Sequence, residues 1–88
     1  MDSYSLEIAL KGAANHHRIN VLLQLKNQPD MSVEELSETC HVAYKTLSVH
    51  LRRLKNAGLI TKKKFGRRVE HKLTDRGICV ADFLRTLS

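Results

Sequence analysis

Eighty-eight residues suffice for one small domain with a thin core, and they leave no room for a separate ligand-binding domain. Tryptophan is absent and aromatics are scarce, so the core must come from Leu, Ile, Val and Ala. Two cysteines, Cys40 and Cys79, make no disulfide framework, and no apolar run approaches the roughly 20 residues of a membrane span. The expectation is therefore one domain over 1–88 in a reducing cytoplasm, with no signal peptide and no membrane partner. The formal charge of +6 is unevenly placed. Residues 44–76 hold eleven Lys and Arg against Glu70 and Asp75, a net of +9, while the remainder carries −3. Charge so localised is the electrostatic footprint of a surface that meets phosphates.

In chain order, Leu6, Ala9, Leu10 and Ala13 recur at helical spacing and predict a first helix over 3–13. Ile19, Leu22, Leu23 and Lys26, flanked by Val21 and Leu25, predict a second over 16–27, stopped by Gln28-Pro29-Asp30. Ser32 with Glu35 three residues later is a capping box, in which each side chain satisfies a free backbone N–H at a helix start. Val33, Leu36 and Cys40 share a face of that third helix. A short connection, His41-Val42-Ala43, leads to a fourth helix over about 44–57. Its Leu47, Leu51 and Leu54 make one apolar stripe, and Gly58 follows where a C-terminal glycine is expected.

Residues 59–64 and 68–74 alternate as two strands around Phe65-Gly66-Arg67, with Leu59, Val69, His71 and Leu73 facing inward. Thr74 or Asp75 then caps a last helix in which Val80, Phe83, Leu84 and Leu87 recur at helical spacing. The expected fold is α+β, mostly α: four helices, a two-stranded wing and a C-terminal helix, with the third and fourth helices forming a helix-turn-helix.

The segment MSVEELSETCHVAYKTLSVHLRRLKNAGLI resembles the DNA-binding core of ArsR/MarR-type winged-helix transcriptional regulators. Thr46 to Leu54, followed by Ala57-Gly58-Leu59-Ile60, is similar to the ArsR pattern of a Ser/Thr-led recognition helix running into the first wing strand. Gly66-Arg67-Arg68-Val69 resembles the tip of the ArsR wing, and Leu73-Thr74-Asp75-Arg76-Gly77 the entry to the last helix in MarR- and PadR-like members. The resemblance covers about residues 8–80 and implies a cytoplasmic, homodimeric repressor of transcription. Two departures stand out. His41-Val42-Ala43 replaces the frequent Gly-Leu-Ser, so Ala43 offers no side-chain cap, a loss of about 1 kcal/mol, and His41 is expected to take positive φ. Ser32 and Glu34 stand where metal-sensing members carry Cys-x-Cys, so metal sensing does not carry over.

A helix fits the major groove of double-stranded DNA and reads it with its outward side chains. With the leucine stripe inward, those are Tyr44, Lys45, Thr46, Ser48, Val49, Arg52 and Arg53. Arg52 is the candidate for a bidentate guanine contact; the alternative is that Arg52 and Arg53 meet only phosphate. On the wing, Arg67 and Arg68 are candidates for the adjacent minor groove, and Lys62, Lys63 and Lys64 for its phosphates. The lysines could instead be a solvated edge that prevents strand pairing. His50 reads as a half-buried residue bonded to backbone, or as a DNA contact. His16-His17, His71, Cys40 and Cys79 make no set of converging metal ligands, and Cys40 sits on a core face as a small hydrophobe. No cofactor is expected.

The terminal helices carry more apolar surface than a monomer this size can cover. Tyr4, Leu6, Leu10, Val80, Phe83, Leu84 and Leu87 are therefore the expected homodimer interface, and a two-fold dimer reads an inverted repeat. No catalytic constellation is present, so an enzyme is not expected. Two other readings stay open: a winged helix used as a protein-interaction module, and a nucleic-acid binder without sequence preference.

Overall fold

The computed structural model describes residues 1–88. The order is α1 (Ser3–Ala13), α2 (His16–Asn27), α3 (Val33–Cys40), α4 (Tyr44–Asn56), β1 (Ile60–Phe65), β2 (Arg68–Leu73) and α5 (Asp75–Leu87). Each helix start except that of α4 has a side-chain cap, supplied by Asp2, Asn15, Ser32 and Thr74. At α3 the capping box is complete: Glu35 N–H donates to Ser32 Oγ and Ser32 N–H to Glu35 Oε1. Ala43 precedes α4 with no side-chain cap, and His41 ends α3 in the left-handed region at φ 56°.

The core is one cluster assembled around Leu22, Leu25, Leu36, Leu47, Leu54 and Leu59, all essentially inaccessible to solvent. In α2 the fully buried seam is Val21, Leu22 and Leu25, while Ile19 and Leu23 are only half-buried; α3, α4 and α5 all pack against this helix. The two outer helices present small residues inward. α1 buries Ala9 and Ala13 and leaves Leu6 and Leu10 exposed; α5 buries Gly77 and Ala81, with Val80 and Leu84 half-buried beside them. Small residues let these helices approach closely, so the larger apolar side chains stay outside.

β1 and β2 form an antiparallel pair from Ile60 opposite Leu73 to Phe65 opposite Arg68. The hairpin turn is thus Gly66-Arg67, with Phe65 inside the strand rather than in the turn. Leu59 is fully buried ahead of β1, and Val69 is only half-buried. Met31 adds a one-residue bridge to the sheet: His71 N–H donates to Met31 O at 2.9 Å, and Asp30 N–H to His71 O at 3.0 Å. Asp30 adopts φ 66° to make this approach.

His71 is 2% exposed, and its Nδ1 lies 2.9 Å from Met31 O. A carbonyl only accepts, so Nδ1 carries a proton and donates it. Burial pushes its pKa down, opposed by the Met31 carbonyl; nearby Lys62 adds to the fall and Glu34 opposes it. The unfolded chain takes up this proton near the ordinary imidazole value of about 6.5 and the folded chain only at lower pH, so stability falls as pH drops below about 6.5. His50 acts in the same direction. Carboxylates held low by caps, such as Glu35, lose their contribution only below about pH 4.5. Thermal melting followed by circular dichroism should give a Tm roughly 5 °C lower at pH 5 than at pH 7. Equal values would mean that folding does not lower the pKa of His71 or His50.

Candidate nucleic-acid interface

α4 turns Leu47, Leu51 and Leu54 into the core and leaves Tyr44, Lys45, Thr46, Val49, Arg52 and Arg53 exposed, with Ser48 half-buried. The turn that aims it is held by Ser37, whose carbonyl accepts from His41 and Val42 N–H and whose hydroxyl donates to Val42 O. At its far end Gly58, at φ 77°, reverses the chain into the wing.

The wing lies beside this helix. A cleft of about 200 Å³ between them is lined by Tyr44 and Ser48 of α4, Lys62 and Arg67 of the wing, and His71 at its base. Lys62, Lys63, Lys64 and Arg67 are exposed, and Lys63 rests over the Phe65 ring at 5.2 Å. None of the seven cations Lys45, Arg52, Arg53, Lys62, Lys63, Lys64 and Arg67 is ion-paired, although five ion pairs form elsewhere in the chain. Fixed positive charges left without an ion-pair partner attract polyanions.

Arg68 departs from the expectation that both wing arginines point outward. Its Nη2 donates to Glu35 Oε1 at 2.6 Å and to Asp30 O at 3.0 Å, and its Nε donates to Glu70 Oε2 at 2.8 Å. The guanidinium is turned back onto the start of α3 and braces the wing. The Ser32 backbone N–H, then Arg68, hold the Glu35 carboxyl below the usual range. These partners lie 33 and 38 residues away in sequence, which local patterning does not reveal.

His50 is half-buried as expected, but its partner is a side chain and not the backbone: Arg18 Nη1 lies 3.2 Å from its Nδ1. The His17 ring is centred 5.2 Å from that of His50, and the His16 ring 4.1 Å from that of His17. No three His, Cys, Asp or Glu side chains converge on a point where a metal ion could sit. Burial pushes the Cys40 thiol up, away from the reactive thiolate.

Of the residues expected to join two copies, Tyr4, Leu6, Leu10, Phe83 and Leu87 are exposed, Leu87 by 68%. Val80 and Leu84 instead spend part of their surface on the core of their own chain.

A family model described as bacterial regulatory protein, arsR family, matches residues 15–62, which contain all of α2, α3 and α4 and the start of β1. This chain belongs to the ArsR family. It is 38% identical over 66 residues to the HTH-type transcriptional repressor SmtB of Mycobacterium tuberculosis, a stretch covering 75% of this chain and 48% of that protein. The chain thus spans about half the length of the curated relatives it matches. Among solved structures, HlyU from Vibrio cholerae N16961 superposes with a TM-score of 0.88 at 29% identity, over 97% of this chain and 92% of that one. HlyU from Vibrio vulnificus CMCP6 gives 0.83 at 31% identity, over 97% and 88%. The homodimeric winged helix-turn-helix DNA-binding domain Mb0332 from Mycobacterium bovis gives 0.83 at 21% identity, over 94% and 77%, a likeness of fold. As in other ArsR-family winged helices, α3 and α4 are the helix-turn-helix and β1–β2 the wing. No helix is long and apolar enough to cross a membrane.

Proposed function

We propose that this chain is a DNA-binding transcriptional regulator, a repressor acting by occupancy, which binds an inverted-repeat operator in the cytoplasm as a homodimer. One observation carries this: seven unpaired cations spread over α4 and the adjoining wing of an ArsR-family winged helix. Tyr44, Lys45, Thr46, Ser48, Val49 and Arg52 of α4 would face the major groove, with Lys62, Lys63, Lys64 and Arg67 on the flanking backbone or minor groove. The exposed apolar rows of α1 and α5 support a two-fold dimer. Binding, not catalysis, is what this surface suits.

Selection of bound duplexes from a random pool at physiological salt tests the proposal. The expected outcome is an enriched inverted repeat bound at least about 10³-fold more tightly than competitor DNA. Salt-sensitive binding without a motif would point to a non-specific binder, and absence of binding to a protein-interaction module.

The wing arginines should separate in the same assay. Arg67→Ala removes one phosphate contact from each protomer, and is expected to weaken binding to every sequence by about 25-fold at 0.15 M salt and to reduce the slope of log K against log salt by about two. Arg68→Ala, which removes a brace and not a free charge, should change that slope much less. Equal slope changes would show that Arg68 leaves Glu35 to meet DNA.

A further inference from the structure

Beside the exposed face of α4 lies a group of side chains of which only Arg53 belongs to the recognition surface described above. His16, His17 and Arg18 open α2; His50 and Arg53 come from α4. The three imidazoles follow one another with tilted rings, His16 to His17 at 4.1 Å and His17 to His50 at 5.2 Å between centroids. Arg18 reaches under them to His50 Nδ1 at 3.2 Å, and its Nη2 makes a long contact of 3.5 Å with Lys11 O at the end of α1. Arg18 Nε is shielded from solvent and has no partner. No carboxylate enters the group: neither Arg18 nor Arg53 is ion-paired, and the one charged neighbour on α1, Lys11, is held by Glu7 at 3.4 Å.

Buried or half-buried cations normally find anions within their own fold. Here the fold supplies none, and the complement must come from outside. Position indicates which anion. Packed helices lie 8–10 Å apart axis to axis, and the major groove is about 12 Å wide. An element packed beside a helix seated in the groove is therefore at the distance of the groove wall, which is phosphate. His50 and Arg53 sit on α4 itself, in register with exposed Val49 and Arg52.

We propose that this His/Arg cluster is a second phosphate-contact site of the DNA interface, one that takes up a proton when a DNA phosphodiester binds. The inference rests on the DNA-binding reading above. In the free protein Arg18 donates to His50 Nδ1, so that nitrogen is an acceptor and the ring is neutral. Burial first, then Arg18, His17, Arg53 and His16, hold the His50 pKa below the ordinary imidazole value. A proton on Nδ1 breaks the Arg18 contact and leaves guanidinium and imidazolium both as donors. A phosphate oxygen between them accepts from each and offsets the repulsion that had kept the proton away. Binding and protonation then favour each other, as linkage requires.

The test is the affinity of the protein for its selected duplex between pH 8 and pH 6 at constant salt, with the fold monitored by circular dichroism. One proton per protomer whose pKa rises by about one unit on binding tightens the complex roughly fivefold for each protomer over this range, or about 25-fold for a dimer on its inverted repeat. The His17→Gln, His50→Gln double variant should lose most of that ratio, because glutamine cannot take the proton. Imidazole resonances of the wild-type protein, titrated free and with duplex, should show a histidine of the cluster moving to higher pKa in the complex; this readout needs no variant to fold. Affinity independent of pH, a ratio retained by a folded double variant, or unmoved imidazole pKa values would overturn the proposal. Absence of binding at every pH would overturn the DNA-binding reading and this site with it, whereas tight, pH-independent binding would remove this site alone.

Discussion

Replacing Gly77 with alanine is expected to lower the Tm by about 10 °C or more. On helix propensity alone the change should help, since alanine is favoured over glycine in a helix interior by about 1 kcal/mol. The packing reverses the sign. A Cβ at position 77 would stand 2.0 Å from the Leu59 carbonyl oxygen, 3.0 Å from its carbon and 3.3 Å from Leu73 Cδ2. The obstacle is backbone, and that backbone is tied down. Leu59 O accepts from Thr74 N–H at 3.1 Å, while Thr74 Oγ1 donates to Gly58 O at 2.7 Å and accepts from Gly77 N–H at 3.0 Å. Admitting the methyl means pulling α5 away from the base of the wing and opening the contacts of Leu59, Leu73 and Ala81. A net loss of about 2–4 kcal/mol is in line with overpacked cores, and in a domain this small each kcal/mol moves the midpoint by several degrees. Thermal or urea unfolding measures it. A Tm within about 2 °C of wild type would show that α5 slides on its neighbours.

Arg52→Ala is expected to relax base preference at one position in each half-site by about 10- to 100-fold, equivalent to about 1–3 kcal/mol of discrimination. Among the cations of α4, Arg53 is adjacent to Arg18 and His50, whose pKa values both register its charge. Arg52 is exposed and has no partner, so its planar fork is free to pair with a guanine edge. Repeating the duplex selection with the variant separates the possibilities. Loss of preference at a single position marks a base contact; a uniform fall in affinity, with the motif unchanged, marks a phosphate contact.

Local chemistry was legible in the sequence. Ser32 and Glu35 are three residues apart and bond as that spacing requires, and the Leu47, Leu51, Leu54 stripe orients α4 before any neighbour is known. His41 takes positive φ because no glycine was provided for the turn. What could not be read depends on residues distant in the chain. Arg68 looks like a wing-tip cation until Asp30 and Glu35 are brought to it by the Met31–His71 bridge. His50 acquires Arg18 only when α2 crosses α4. Helical periodicity in α1 and α5 does not say which side of the helix faces inward. Ala9, Ala13, Gly77 and Ala81 take the inner positions because their partners are close, and this displaces Leu6, Leu10, Phe83 and Leu87 outward.

That close approach has a mechanical side. Gly12 of α1 meets Ala57 at the end of α4 so tightly that a Cβ at Gly12 would lie 2.3 Å from the Ala57 Cβ. Two surfaces without flexible side chains between them have no compliance. If α1 shifts where two protomers join, α4 cannot absorb the movement by changing a rotamer and must travel with it. Assembly geometry at the outer helices would then fix the separation of the two recognition helices, and with it the number of base pairs between half-sites.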